Sequence, residues 1–177
     1  MSDATGSPPP PDISPSSLIK AISLVGPSDS GKTQLICALL GFLESRGLRV
    51  AVLKHSGSLK FGDEGKDTWR FRQAGAKLVA LAASGVLQIT RYPEADPPLP
   101  QILAALAPEA DLILVEGYKS GPLPKLVVAG PEPRPPASPY PDAIALISSA
   151  PQAGPLPQFH PGQVAEIGEF ILRYLGL

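Results

Sequence analysis

The stretch Gly26-Pro27-Ser28-Asp29-Ser30-Gly31-Lys32-Thr33 decides how this chain reads. It has the spacing glycine, four residues, glycine, lysine, then serine or threonine, which suits a backbone turn around phosphate. Gly26 and Gly31 let the main chain approach oxygen atoms closely, so successive N–H groups converge on an anion. Lys32 adds a full charge for the outer phosphates, and the Thr33 hydroxyl is placed to ligate Mg²⁺. The pattern carries weight only where it leaves a strand and opens a helix. Both neighbours are present: Ala21-Ile22-Ser23-Leu24-Val25 is short and β-branched, and Leu35, Ile36, Leu39, Leu40 and Leu43 recur at helical spacing. The helix N-terminus contributes further positive potential. Gly26, Pro27, Ser28, Asp29, Ser30, Gly31, Lys32, Thr33 and Gln34 are therefore read as a nucleoside triphosphate site. The competing account is a glycine turn with a solvated lysine, which leaves the strand and helix in register without a purpose.

The chain has 177 residues, 44% hydrophobic and 18% charged, which suits a folded domain with a sizeable core. A net charge of −1 gives no basic footprint for nucleic acid. No apolar run reaches the roughly 18 residues a membrane helix needs, so the expectation is a soluble protein with a small-molecule ligand. Cys37 has no partner for an intramolecular disulfide and lies within the first helix, where it is expected as a small buried hydrophobe. With no basic start and apolar core of a signal peptide, a cytoplasmic location is expected.

Residues 1–17 are rich in proline and serine with little to bury, and read as a mobile tail; residues 18–177 read as one nucleotide-binding domain. The first helix should stop at Gly47, and Arg49 to Leu53 follows as a mostly apolar strand expected to be covered on both faces. This βαβ unit implies parallel strands. After Lys54-His55, the glycine- and serine-rich run from Ser56 to Lys66 is a long loop at the strand's carboxyl end, the edge where ligands bind in open α/β sheets. It is a candidate switch segment. Asp67 precedes a short helix from Thr68 to Ala74, and it reads equally as an N-cap or as a nucleotide-site carboxylate.

Lys77 to Ala82 and Val86 to Tyr92 flank Ser84-Gly85, which predicts an antiparallel hairpin attached to the parallel sheet. A short helix from Gln101 to Ala107 precedes Asp111-Leu112-Ile113-Leu114-Val115-Glu116-Gly117, a core strand with an acid at each end. In phosphate-loop proteins a carboxylate closing such a strand holds Mg²⁺ or its water. Glu116 is at the end where the nucleotide lies; Asp111 is at the other and reads as a solvated strand start. Lys125 to Ala129 and Ala143 to Ile147 are read as the last two strands, and Val164, Ile167, Phe170, Ile171 and Tyr174 as the apolar face of a closing helix. His160 reads as a surface residue. The fold class is α/β: a three-layer α/β/α arrangement like that of phosphate-loop NTPases, with a mixed, mostly parallel sheet and one antiparallel hairpin.

Four signatures together resemble the MobB family, the molybdopterin-guanine dinucleotide biosynthesis protein B proteins. They are the loop Gly26 to Thr33; Lys54-His55; Gly65-Lys66-Asp67-Thr68 with Ala74-Gly75-Ala76; and Leu114-Val115-Glu116-Gly117-Tyr118-Lys119. The resemblance spans about residues 18–150. It implies a GTP-binding, weakly hydrolysing, homodimeric accessory protein that assists the guanylyltransferase of molybdenum cofactor biosynthesis, with GTP and Mg²⁺ as cofactors. By position, Gly31, Lys32 and Thr33 hold phosphates and Mg²⁺, Asp67 and Glu116 serve as metal or water ligands, and Lys119 lies nearby. Lys32, Asp67 and Glu116 are thus the implied catalytic residues, and Thr33, Asp67 and Glu116 the implied metal ligands. The chain departs from the family pattern at Ser56-Gly57-Ser58, where members commonly carry a second histidine. No Asn-Lys-x-Asp string is present, so GTP over ATP rests on the resemblance.

The runner-up readings are a small-molecule kinase or an ATP-dependent assembly factor. A kinase of this type needs arginines to clamp the transferring group, and Arg70 and Arg72 are the only close pair.

Overall fold

The computed structural model describes residues 19–57, 63–130 and 140–177. The expected tail at 1–17, the middle of the Ser56–Lys66 loop and most of the proline-dense stretch after Gly130 lie outside the described residues. The elements run β1 (Ala21–Val25), α1 (Lys32–Ser45), β2 (Val50–Lys54), α2 (Asp67–Gln73), β3 (Leu78–Ala83), β4 (Val86–Arg91), α3 (Leu99–Leu106), β5 (Leu112–Glu116), β6 (Lys125–Val128), β7 (Ala143–Ile147), β8 (Gln158–Phe159) and α4 (Val164–Leu175).

The apolar strands take the centre. β1, β5 and β6 are buried almost throughout, and the main sheet has the order β2-β5-β1-β6-β7-β8 with every pairing parallel. Alternation along a strand sends successive side chains to opposite faces. Ile22, Leu24, Leu112 and Leu114 therefore meet Leu35, Leu39 and Leu43 of α1 and Ile167 and Ile171 of α4 on one side. Ala21, Ile113 and Val115 meet Leu99 and Leu103 of α3 on the other. Each fully buried leucine or isoleucine contributes about 1.5–3 kcal/mol, so these two apolar layers, and not helix propensity, fix the three-layer arrangement. A Cβ on Gly168 would sit 2.3 Å from the Phe42 ring, so only glycine lets α4 approach α1 this closely.

The fold class is as expected from sequence, with five differences of detail. The hairpin β3–β4 is a sheet of its own, not an extension of the main one. It is docked instead through α2: Val79 is buried, and the Arg72 guanidinium lies 4.7 Å above the Tyr92 ring. Its turn has φ of 45° at Ser84 and 83° at Gly85, the two positive values of a tight hairpin. β2 is an edge strand and not one covered on both faces, which leaves Val52 44% exposed. Cys37 is exposed, because Leu35, Ile36, Leu39 and Leu43 take the core face of α1. The sheet also gains β8, two residues paired to Leu146 and Ile147, and its Phe159 ring packs tilted against Phe170 with centroids 5.4 Å apart. Ala143–Ile147 is therefore not the last strand. On α4 the buried positions are Ile167, Gly168, Ile171 and Leu172, while Tyr174 is exposed.

Candidate nucleotide site

Side chains at the carboxyl ends of β1, β2 and β5 converge on a cavity of about 580 Å³. It is lined by Gly26, Ser28 to Gln34, Lys54, His55, Glu116, Gly117 and Lys119. All of the nine predicted loop residues except Pro27 line it.

The loop gets there because Gly26 has φ 154° and a Cβ at this position would stand 2.2 Å from the Val128 carbonyl oxygen. Only glycine permits that pass over the end of β6. Gly31, at φ 87°, then starts α1, and its carbonyl accepts the Leu35 N–H at 2.9 Å. Lys32 folds back over the loop, donating to the Pro27 carbonyl and to Ser30 Oγ at 3.3 Å.

Alternation on β5 puts Leu112, Leu114 and Glu116 on the α1 face, so Glu116 ends the strand beside the first turn of α1. There Thr33 Oγ1 donates to Glu116 Oε2 at 3.0 Å. Register pairs Lys54 of β2 with Glu116, and Lys54 Nζ donates to Oε1 at 2.9 Å. The Glu116 side chain is 13% exposed. Burial pushes its carboxyl up, but the hydrogen bonds from Lys54 and Thr33 and the charges of Lys54 and Lys32 outweigh this and hold it below the usual glutamate range. Burial lowers Lys32, opposed by Glu116 and reinforced by the positive charges of Lys119 and Lys54. Three lysines thus face Asp29 and Glu116 across one cavity, a balance that favours an incoming anion.

Two of the sequence signatures form a single structural unit. The His55 N–H donates to the Glu116 carbonyl at 2.9 Å, and the Gly117 N–H to Leu24 at 3.1 Å. A Cβ on Gly117, at φ 105°, would press to 3.3 Å from His55. Tyr118 follows at φ 51° and lays its ring 4.4 Å from the His55 imidazole. The Lys-His pair and the Glu-Gly-Tyr-Lys string are adjacent strand ends that fix one another.

Asp67 stands apart. It is the first residue of α2 and not its N-cap, its side chain is 83% exposed, and it lies 3.8 Å from Arg70 without lining the cavity. Asp111 is more than a solvated strand start: its carboxylate accepts from Arg49 N and Nη2, both at 2.8 Å, which clasps β2 to β5 at the end remote from the cavity. Sequence reasoning gave no role to Lys54, whose pairing depends on the sheet order. It also passed over Lys125, whose fully buried ammonium donates to Gly121 O at 2.6 Å, Leu123 O at 3.0 Å and Asp142 Oδ2 at 2.9 Å. Its only signal was a lysine opening an apolar strand.

Among the described residues no cluster of three His, Cys, Asp or Glu side chains is placed to hold a metal. The oxygens of Thr33 and Glu116 are instead hard donors of the kind that suit Mg²⁺ alongside phosphate oxygens. The hard-oxygen donor pair fits that ion.

Comparison with known proteins matches residues 21–149 to the family model described as MobB, molybdopterin guanine dinucleotide synthesis protein B. The chain belongs to the MobB family. The molybdopterin-guanine dinucleotide biosynthesis adapter protein of Haemophilus influenzae is 38% identical over 116 residues, 62% of this chain and 63% of that protein. The Escherichia coli adapter protein is 31% identical, covering 63% of this chain and 66% of the relative. The aligned region thus spans less than two thirds of the curated relatives' length. A crystal structure of molybdopterin-guanine biosynthesis protein B superposes with TM-score 0.69 at 29% identity, over 89% of this chain and 99% of that one. A MobB homologue from Bacillus stearothermophilus gives 0.64 at 25% identity, over 88% and 97%.

Proposed function

We propose that this chain is a nucleotide-binding adapter of molybdopterin-guanine dinucleotide biosynthesis, binding GTP with Mg²⁺ and assisting a guanylyltransferase in the cytoplasm. The observation that carries the reading is the convergence of Lys32, Thr33 and Glu116 on one anion-favouring cavity. The loop N–H groups and Lys32 would take the phosphates; Thr33 and Glu116 would hold Mg²⁺, which when bound neutralises developing phosphate charge. Asp67, implied by the family resemblance as a further ligand, has no part in this account because it sits at the exposed start of α2.

Slow turnover follows from what the cavity lacks. No arginine lines it among the described residues, while Arg70 stands by Asp67 and Arg72 over Tyr92. An arginine finger is worth about 10³–10⁵ in rate, so unaided hydrolysis should be far below that of a kinase. The same absence weighs against phosphoryl transfer to a small acceptor. The chain contains no asparagine, hence no Asn-Lys-x-Asp base-reading string; the preference for GTP draws on family membership.

In this role the protein would act as a homodimer. One face of the hairpin exposes Leu78, Leu87 and Ile89, and among the described residues β3 and β4 pair only with each other. Isolated two-stranded sheets are marginal, and a second copy across a two-fold axis would supply the missing partner. Incubation with GTP, ATP and candidate pterin or nucleoside acceptors, following phosphate release beside acceptor phosphorylation, tests the function. Fast acceptor phosphorylation would replace the adapter reading with a kinase.

A further inference from the structure

The cation now neutralising Glu116 is tethered to the edge of the sheet. Lys54 Nζ stands 2.9 Å from Glu116 Oε1, and Thr33 holds the other carboxylate oxygen at 3.0 Å. The two ends of the ion pair differ in freedom. The Lys54 side chain is 59% exposed and that of Glu116 13%, so the lysine can leave and the carboxylate cannot. Among the described residues β2 is an edge strand, with no further strand beside Lys54 to confine it.

A divalent ion shared between Thr33 and Glu116 needs the carboxylate charge that Lys54 now compensates, and it repels an ammonium at that distance. Lys54 lines the same cavity as Lys32 and Lys119, so an ammonium released from Glu116 remains facing the region where phosphates would lie. There an incoming nucleotide offers it a denser negative charge than Asp29, the other carboxylate lining the cavity.

We propose that Lys54 is an exchangeable counter-ion: it guards Glu116 in the empty site and passes to the terminal phosphate oxygens when a nucleoside triphosphate enters with its divalent ion. The proposal rests on the nucleotide reading above and makes Lys54 a positioning and specificity residue for the triphosphate state. No bond is made or broken; one ion pair is exchanged for two others. In the empty protein the lysine competes with free metal. In the loaded protein it rewards the terminal phosphate, so the two effects of removing it have opposite signs.

The test uses the full chain with Lys54→Met, and Lys54→Arg as the charge-keeping control. Mn²⁺ affinity of the nucleotide-free protein is read from the electron paramagnetic resonance signal of unbound Mn²⁺, and the affinities for fluorescent guanosine triphosphate and diphosphate are read in Mg²⁺. Lys54→Met should bind Mn²⁺ about 5-fold or more tightly than wild type, and should lose about 5-fold or more of the preference for triphosphate over diphosphate. Lys54→Arg should change each by less than half as much on a logarithmic scale. Lys54→Gln repeats both measurements, so a folding failure in one variant does not decide the matter. Unchanged Mn²⁺ affinity with nucleotide binding intact overturns the exchange alone, as does an unchanged triphosphate preference. Wild-type protein that binds no nucleotide overturns the function reading, and the phosphate half of the exchange with it.

Discussion

Thr33 Oγ1 donates to Glu116 Oε2 at 3.0 Å, joining the first turn of α1 to the end of β5 across 83 residues of chain. The contact exists because β5 lies beside β1 and its alternation turns Glu116 to the face that α1 covers. Glu116→Gln keeps the shape and removes the charge that a metal or attacking water would use. Nucleoside triphosphate turnover should fall about 10-fold or more while nucleotide still binds. Asp111→Asn, at the other end of the same strand, should leave turnover near wild type. Steady-state assays of both variants decide it; equal losses would contradict the assignment.

The Arg49–Asp111 clasp predicts a pH dependence of stability. Hydrogen bonds from the Arg49 side chain and backbone, with the guanidinium charge, hold Asp111 below its ordinary range. A carboxyl with a depressed folded pKa stabilises the protein above its unfolded value, near 3.9, and loses that contribution as pH falls through the folded value. Arg49 is exposed and Asp111 only partly buried, so the effect is modest. Melting curves should show Asp111→Asn less stable than wild type at about pH 6, the gap narrowing as pH falls below about 3.9. A gap that persists in acid would mean that the asparagine disturbs packing instead.

Lys125 should matter for folding and not for ligand. Its buried ammonium satisfies two carbonyls and the half-exposed Asp142, and removing it takes the donor from both carbonyls. Leaving two such acceptors unsatisfied costs about 3 kcal/mol in all, or roughly 6–12 °C in melting temperature for a domain of this size. Lys125→Ala, followed by calorimetry and by nucleotide titration below its melting point, should show that loss with affinity within about 2-fold of wild type. A large affinity loss in a variant that melts normally would place Lys125 in the site.

The hairpin prediction concerns assembly. If Leu78, Leu87 and Ile89 cover a second copy, sedimentation of wild type should give a dimer, and Leu87→Glu with Ile89→Glu a monomer. A wild-type monomer at micromolar concentration would remove the dimer from the account.

The sequence carried the central layer well because β1 and β5 are buried on both faces and so appear as mostly apolar runs, interrupted in β1 only by Ser23. Glu116 was legible for the same reason, as an acid closing such a run. Lys54 was not, since its partner is set by β2 lying next to β5, a choice made by crossover topology and not by local pattern. The separate hairpin was hidden because local alternation specifies two strands and a turn but not which sheet they join. β8 was hidden because two residues between prolines hold no period. Cys37 was misplaced by a single step of helical phase, which is about 100° on a helix wheel.

Whether residues 26–34 with Glu116 form a nucleotide site is decided by thermal denaturation with and without ligand. Wild-type protein with Mg²⁺ and GTP at about 100 times Kd should gain roughly 2.7 kcal/mol, a rise of about 5–11 °C. Lys32→Ala forfeits its bonds to Pro27 and Ser30 and a screened attraction to Glu116, while relieving repulsion from Lys54 and Lys119, a net of about 1 kcal/mol, so its ligand-free melting point should fall by no more than about 2–4 °C, and it should show no shift with nucleotide. A folded wild-type protein that shifts with neither GTP nor ATP, or a Lys32→Ala variant that shifts as far as wild type, would contradict the account.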